Sequence, residues 1–518
     1  MSATRGSIHP SASGRAFSRC CYHSPRVDVT QDSIHQTRTT AAHAALAVTA
    51  VLIVILTLLS ANVFWRNEAY LDDASGNWTA LAKDVTEGVF YRPLHGDAGY
   101  GGSRYFPLHF VLHAGVMKAV GDPIRSGLVV SAVSVALLLA AVHVLLRRVG
   151  APWPLSVSCA AFVLAGHPAQ EALFAIKGDA LAAALNLWGV ALCADAALPS
   201  GALLAAAVAF TLAFATKVTA VSGLAAAAGW LFLTRRSRTA LLLLLLVGVG
   251  VVLVIGLMYL GSSGVAFGVF RASASGGATW SSLVKAPLTF AKQARRVPET
   301  LAFVQLGFAA LLVLLWHRAI DGLALLFFTC VLCMTVVIFG SPGTDTNHLL
   351  DLHVASIVLV GSWIARRGLP RASFSVAALV VAALAGGLSL ASGLVDARSE
   401  QRRGLFADTL ARIPDKSRPI LAQNPLLPVV AGQRAYLLDP FLIRLLSERD
   451  PALVEPLWRE LRAQKFAAVV FERDPREERA RGLYRSALLG ERFLDEVDRN
   501  YEIAATIGPR TVFLPRVR

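Results

Sequence analysis

Two carboxylates, Asp72 and Asp73, stand side by side in the run Trp65-Arg66-Asn67-Glu68-Ala69-Tyr70-Leu71-Asp72-Asp73, just past the first long apolar stretch of the chain. Adjacent acids have three chemical uses. One can serve as general base if it lies within hydrogen-bond reach of a nucleophile's proton, while the charge of the other raises its proton affinity. The pair can hold a divalent cation such as Mg or Mn. An acid can also cap a helix, accepting free backbone N–H groups and favouring the macrodipole. The residues that follow repeat at helical spacing (Trp78, Leu81, Ala82, Val85, Val89), so the pair sits at or just before a helix start. One acid is therefore expected to act as base and the other as cap or metal ligand, with a preference for Asp73 as base.

A phosphate beside such a base needs neutralising charge. The candidates are Arg104, Lys177, Lys217, Arg295 and Arg296. Lys177-Gly178-Asp179 reads equally as a phosphate contact or an ion pair. Lys217 falls between two very apolar stretches, where an unpaired charge is costly unless it faces a cavity or snorkels. Asn347, His348 and Asp351, in Gly343-Thr344-Asp345-Thr346-Asn347-His348-Leu349-Leu350-Asp351, are polar beyond the needs of capping and are expected, with Tyr105, to line a cavity. Residues 262 to 298 carry Arg271, Lys285, Lys292, Arg295 and Arg296 with no acid, which suits a lipid phosphate or anionic headgroups. His167 and Glu171 read as structural, and His109 and His113 as a polar face at the membrane surface rather than a metal pair. Cys330 and Cys333 have CxxC spacing inside an apolar run without a second ligand pair, so they read as packing.

The elements that must position these groups are membrane helices. Of 518 residues, 55% are hydrophobic and 16% charged, and apolar runs of bilayer length recur along the chain. Hydropathy places eleven spans at about 43–63, 126–146, 153–172, 179–197, 200–216, 218–234, 239–260, 299–316, 321–340, 349–365 and 373–395. A cytoplasmic N-terminus puts Arg147-Arg148, Arg235-Arg236-Ser237-Arg238, His317-Arg318 and Arg366 to Arg371 inside together, as the positive-inside rule requires. The acid pair, residues 262–298, residues 341–348 and the C-terminal region then share the outside. The net charge of +15 is a topology signal in this setting rather than a sign of nucleic acid. The expected organisation is a disordered cytoplasmic tail (1–42), a transmembrane module (43–396) with an outer loop at 64–125, and a soluble extracytoplasmic α/β domain (397–518). In that domain 419–423, 435–438, 466–471 and 511–514 read as strands and 451–464 as helix. No glycine-rich nucleotide loop precedes a helix.

A first span, an acidic pair, Trp78-Thr79-Ala80-Leu81-Ala82, Glu87-Gly88-Val89-Phe90-Tyr91-Arg92-Pro93 and Arg104-Tyr105-Phe106-Pro107-Leu108-His109 together resemble the GT-C class of integral-membrane glycosyltransferases, which includes protein mannosyltransferases and aminoarabinose transferases. Residues 43 to 365 follow its general layout. The resemblance implies an inner-membrane enzyme that takes a sugar from a polyprenyl-phosphate lipid, inverts the anomeric centre, and keeps its catalytic acid in this loop. The acceptor would be a glycan, lipid or protein. The families named usually carry Asp-Glu, where this chain has Asp-Asp. Two other classes compete with an enzyme: a transporter or lipid flippase, favoured by repeats or broken helices, and a non-catalytic scaffold whose acids would only cap or face solvent.

Overall fold

The computed structural model describes residues 29–66, 70–195, 197–274, 279–317, 322–341, 344–369, 371–399 and 404–517. Expectations for residues 1–28, Asn67, Glu68, Arg318 and Gly343 lie outside them, as does the Arg271 side chain.

Sixteen helices precede the C-terminal region among the described residues: α1 (Val29–Phe64), α2 (Asp73–Thr86), α3 (Pro107–Val120), α4 (Pro123–Arg148), α5 (Trp153–Phe162), α6 (His167–Phe174), α7 (Asp179–Cys193), α8 (Ser200–Thr216), α9 (Ser222–Leu233), α10 (Ser237–Gly261), α11 (Val265–Ala274), α12 (Trp280–Ala294), α13 (Pro298–His317), α14 (Gly322–Ile338), α15 (Leu350–Arg367) and α16 (Ser373–Ser399). The protein is a multi-pass membrane protein. Six helices are long and apolar enough to cross a bilayer, four shorter apolar ones accompany them, and α6 and α7 form a pair bent by 117°.

Every expected span but 153–172 falls on a single helix, and local chemistry sets the ends. Before α4, Asp122 accepts from the backbone N–H of Ile124 and Arg125 at 2.8 and 2.9 Å, with Pro123 at the first helical position, and the helix closes on Arg147 and Arg148. The expected disordered tail is corrected at its end: α1 starts at Val29, because no Gly or Pro interrupts the chain up to the apolar run. The expected single span 153–172 is also broken. A 3-10 turn (Val163–Ala165) and Gly166 separate α5 from α6, whose second residue is Pro168. Gly166 is required there by close approach, since a Cβ would come within 2.4 Å of His353 Nε2 on α15. That neighbour, α15, is the most enclosed candidate span and the centre of the bundle.

The C-terminal region is an α/β unit: α17 (Leu405–Ala411), β1 (Ile420–Ala422), α18 (Leu426–Val430), α19 (Pro440–Arg449), α20 (Glu455–Arg462), β2 (Ala468–Phe471), α21 (Glu478–Ala487), α22 (Glu491–Asn500), β3 (Tyr501–Ile507) and β4 (Arg510–Pro515). The sheet order is β1-β2-β4-β3, with β1 and β2 parallel and the other pairs antiparallel. The expected strand 435–438 is not part of the sheet. Its backbone pairs instead with Tyr100 of the loop between α2 and α3, which donates to Tyr436 O at 2.7 Å and accepts from Leu438 N at 3.1 Å. β3 was not expected; its Glu502 and its Ala and Thr residues dilute the apolar alternation that marks a strand.

Candidate active site

Leu71 to Gly76 turn the chain into α2. Asp72 is the N-cap: its Oδ1 accepts from Ser75 N and Ser75 Oγ, both at 2.9 Å. Its other oxygen meets Lys177 Nζ at 2.7 Å. Asp73 is the first helical residue, and its Oδ1 accepts only from Ala74 N, at 3.1 Å. Both residues are half-buried. The Asp72 side chain keeps 42% of its surface open, yet protein surrounds the pair so closely that loss of bulk water is the largest influence on each. Burial raises the proton affinity of Asp72, but Lys177 and the Ser75 hydrogen bonds outweigh it and hold the carboxyl below its ordinary value. Asp73 is driven the other way, to about 7, by burial first and then by the charge of Asp72; Lys177 opposes this, and Asp439 and Glu472 add to it.

The bundle supplies two lysines, one on each side of Gly178-Asp179. Lys177 is buried and shared between Asp72 and Glu171 of α6. Lys217, in the turn between α8 and α9, meets Asp179 Oδ1 at 2.5 Å and lies 3.2 Å from His348 Nδ1. Asn347 Nδ2 donates to the same Asp179 oxygen at 3.3 Å. Lys217, His348 and Asp351 line a small recess together with Thr219, Ser222 and four α14 residues, Val331, Met334, Thr335 and Ile338. The two lysine clusters are near enough that Lys177 and Arg104 both act electrostatically on His348.

The C-terminal domain closes the other side. Its parallel strands β1 and β2 end on Gln423-Asn424 and Glu472, the side of an open sheet where ligands usually bind. Asn424 Nδ2 donates to Leu71 O at 2.8 Å, and a Cβ on Gly76 would come within 2.3 Å of Asn424 Oδ1, so only glycine permits this docking. Arg92 is fixed on Asp84 at 2.7 Å and donates to Ala435 O at 2.8 Å, while Arg434 pairs with Glu87. Arg104 is held 3.3 Å from Asp439 Oδ2 and over the Phe441 ring, and Arg510 meets Glu472 at 3.0 Å. Tyr105 stacks on Trp78 with ring centroids 4.2 Å apart.

Asp72, Asp73, Arg104, Tyr105, Lys177, Lys217, Asn347, His348 and Asp351 thus gather around one region. Arg295 and Arg296 do not join it; both are exposed just past α12, whose Gln293 reaches Thr344 O at 3.4 Å. Glu171 pairs with Lys177 rather than His167, which the sequence could have signalled only by both being acid–base partners across a helix break. Asp439 and Glu472 gave no sequence signal beyond strand-end turns. His109 and His113 are corrected: both are fully buried, His113 Nε2 lying 2.9 Å from Pro123 O and 3.0 Å from Ser126 Oγ, and His109 packed edge-on against Trp78. Among the described residues no three His, Cys, Asp or Glu side chains converge on one point.

No protein-family model matches the sequence, and no curated protein matches it. Solved structures do share its fold. ArnT from Cupriavidus metallidurans, bound to undecaprenyl phosphate, matches over 89% of this chain and 97% of its own at 13% identity, with a TM-score of 0.57. The oligosaccharyltransferase of Archaeoglobus fulgidus in its apo form covers 88% of this chain and 72% of its own at 12% identity, TM-score 0.52. The same organism's AglB with an inhibitory peptide and a dolichol-phosphate covers 90% and 74% at 11% identity, also at 0.52. The chain has the GT-C fold that these proteins share.

Proposed function

We propose that a chain with this fold and this acid pair is a glycosyltransferase that moves a sugar from a polyprenyl-phosphate lipid to an acceptor hydroxyl at the outer face of the cytoplasmic membrane. Its fold neighbours were crystallised with undecaprenyl phosphate and with dolichol-phosphate, which supports a lipid-phosphate donor. The observation that carries the reading is the asymmetry of the pair: Asp72 is bound by a cap and a lysine, whereas Asp73 has no ion-pair partner among the described residues and is pushed up to about 7 by burial and the charge of Asp72. Asp73 is the general base. It takes the acceptor's proton as that oxygen attacks the anomeric carbon from the face opposite the phosphate. The bond between anomeric carbon and phosphate oxygen breaks, its electron pair leaves with polyprenyl phosphate, and the anomeric centre inverts. Lys217 is the donor-phosphate partner, exchanging Asp179 for phosphate at the polar recess, while Arg104 stands toward the acceptor side beside Asp439. Lys177, held by two carboxylates, positions Asp72. A divalent cation such as Mg or Mn would be a further partner for the leaving phosphate, and EDTA in the transfer assay decides it: a lost rate requires the ion, an unchanged rate excludes an exchangeable one. The eleven expected spans, 153–172 being shared by α5 and α6, are taken as crossings, with the N-terminus inside and the C-terminal domain outside.

Glycosyl transfer in membranes carrying Asp73→Asn and Asp72→Asn separately tests the reading. Wild-type turnover by both variants at equal expression overturns it. The bent α6–α7 pair favours a second reading, a lipid flippase, because broken helices are common in transporters. Scrambling of a fluorescent polyprenyl phosphate in vesicles, unaffected by either variant, would support that reading instead.

A further inference from the structure

Helix α12 is 15 residues long, about 22 Å at 1.5 Å per residue, too short to cross a bilayer, and it packs on α14, on α13 and on the Thr346–Leu349 turn. Its start is fixed by a capping box, Thr279 and Ser282 bonding each other's backbone N–H. At about 100° per residue, its side chains fall into three sectors. Leu283, Ala286, Phe290, Gln293 and Ala294 face the protein, with Ala286 and Ala294 buried, Phe290 against Phe339, and Gln293 on the segment that leads to His348. The next sector is apolar and open: Trp280 is 85% exposed, Val284 79% and Leu288 73%. Beyond it, Lys285, Lys292 and Arg296 form a basic flank, all exposed, and no acid occurs from Trp280 to Pro298.

We propose that α12 is an in-plane anchor whose apolar sector enters the outer leaflet and whose basic flank binds the headgroups of bulk anionic lipids. The order of the sectors, protein, then hydrocarbon, then headgroup, is the one a helix lying on an interface requires, and an exposed tryptophan suits that depth. Three open apolar side chains of this size are costly facing water, whereas lipid continuous with that around the neighbouring spans covers them. The wholly basic flank selects an anionic surface over a zwitterionic one. Because α12 packs on α14 and on the Thr346–Leu349 turn, two walls of the Lys217 recess, an anchored α12 also holds that recess at the level of the lipid phosphates.

The full-length protein in nanodiscs tests this without any transfer assay, so it stands or falls apart from the glycosyltransferase reading. The Trp280 signal is isolated as the difference between wild type and Trp280→Phe. Bromine near the top of the acyl chains is expected to quench it several-fold more than aqueous iodide does, and more strongly in discs containing phosphatidylglycerol than in phosphatidylcholine alone. The triple variant Lys285→Gln, Lys292→Gln, Arg296→Gln is expected to lose that dependence on lipid charge while keeping the quenching by bromine. Quenching by iodide rather than bromine overturns the anchor. Bromine quenching equal in both lipids, in wild type as in the triple variant, overturns the anionic headgroup contact.

Discussion

The two sides of the acid pair are built from the same unit, a basic side chain held by a carboxylate, yet they hold it differently. On the bundle side Lys177 and Lys217 come from helix breaks and are paired by Asp72, Glu171 and Asp179 within the membrane module. On the domain side Arg104 and Arg510 are paired by Asp439 and Glu472 at the ends of loops and strands, and the whole surface arrives as one docked unit. Asp73 lies between them and receives a partner from neither. The difference teaches that the bundle side can exchange partners, because a phosphate can replace the carboxylate on a lysine, whereas the domain side acts on Asp73 through fixed charge.

The strongest way to break the comparison is Asp73→Asn. If Asp73 is the base left between the two sides, transfer falls on the order of 10²–10⁴-fold, the usual worth of a positioned base. The cap on Asp72 and the Lys177 pair should leave expression and thermal stability near wild type. Turnover within a few-fold of wild type would mean that the two sides enclose no base at all. Asp72→Asn comes next and acts differently. It removes a negative neighbour from Asp73 and frees Lys177 toward it, and both changes stabilise the Asp73 carboxylate. The wild-type rate should rise with pH through about 7, as the raised Asp73 loses its proton. In the variant that acid limb should move down toward the ordinary carboxylate range near 4. Asparagine can still cap α2, so any loss of stability, read by thermal unfolding in detergent, comes from Lys177 losing one of its two carboxylates. An unmoved acid limb would show that Asp73 does not set the rate.

Much of this arrangement was legible in the sequence, for identifiable reasons. Spans declare themselves by hydropathy, and the α2 start by Asp72 and Asp73 ahead of a helical repeat. The division between the two acids was only a preference, because it depends on Lys177, more than a hundred positions away, folding back onto Asp72. Lys217 and His348 could be named one by one but not joined, since pairing across α8, α9 and the turn before α15 leaves no local trace. The domain side was illegible for a deeper reason. Gln423, Asn424, Asp439 and Glu472 are ordinary strand-end and turn residues, and only the docking of β1 and β2 on Leu71 and Gly76 brings them to the site. The segment 435–438 misled for the same reason, since its extended backbone is real but its partner is Tyr100.

A contrast within the bundle side sharpens the claim of exchange. Lys217→Met should raise the KM for the lipid donor about 10- to 100-fold, the worth of a charge-assisted contact of roughly 1.5–3 kcal/mol. Asp179→Asn should instead tighten donor binding, because it leaves Lys217 without its resident anion. It should also destabilise the empty protein, since a lysine in a largely buried pair has lost its partner. Thermal shift with and without polyprenyl phosphate separates the two effects: the lipid should restore Asp179→Asn and do little for Lys217→Met. Equal responses from both variants would make the pair a structural brace.

Glu472→Gln carries the smallest expected effect and asks whether the domain side matters electrostatically. Glu472 ends β2, is fixed by Arg510, and adds its charge to those that keep Asp73 protonated near neutral pH. It holds no bond to the bundle side among the described contacts, so glutamine should preserve the docking made by Asn424 and Leu71. The acid limb should then shift downward by less than in Asp72→Asn, with the rate at high pH close to wild type, because the base and the lysines are untouched. A limb that stays in place would reduce the domain to a cover. A rate lost equally at every pH would place Glu472 on the acceptor itself, which is a contact and not a field. Only a shifted limb with an unchanged plateau matches a carboxylate that acts on Asp73 from a separate domain.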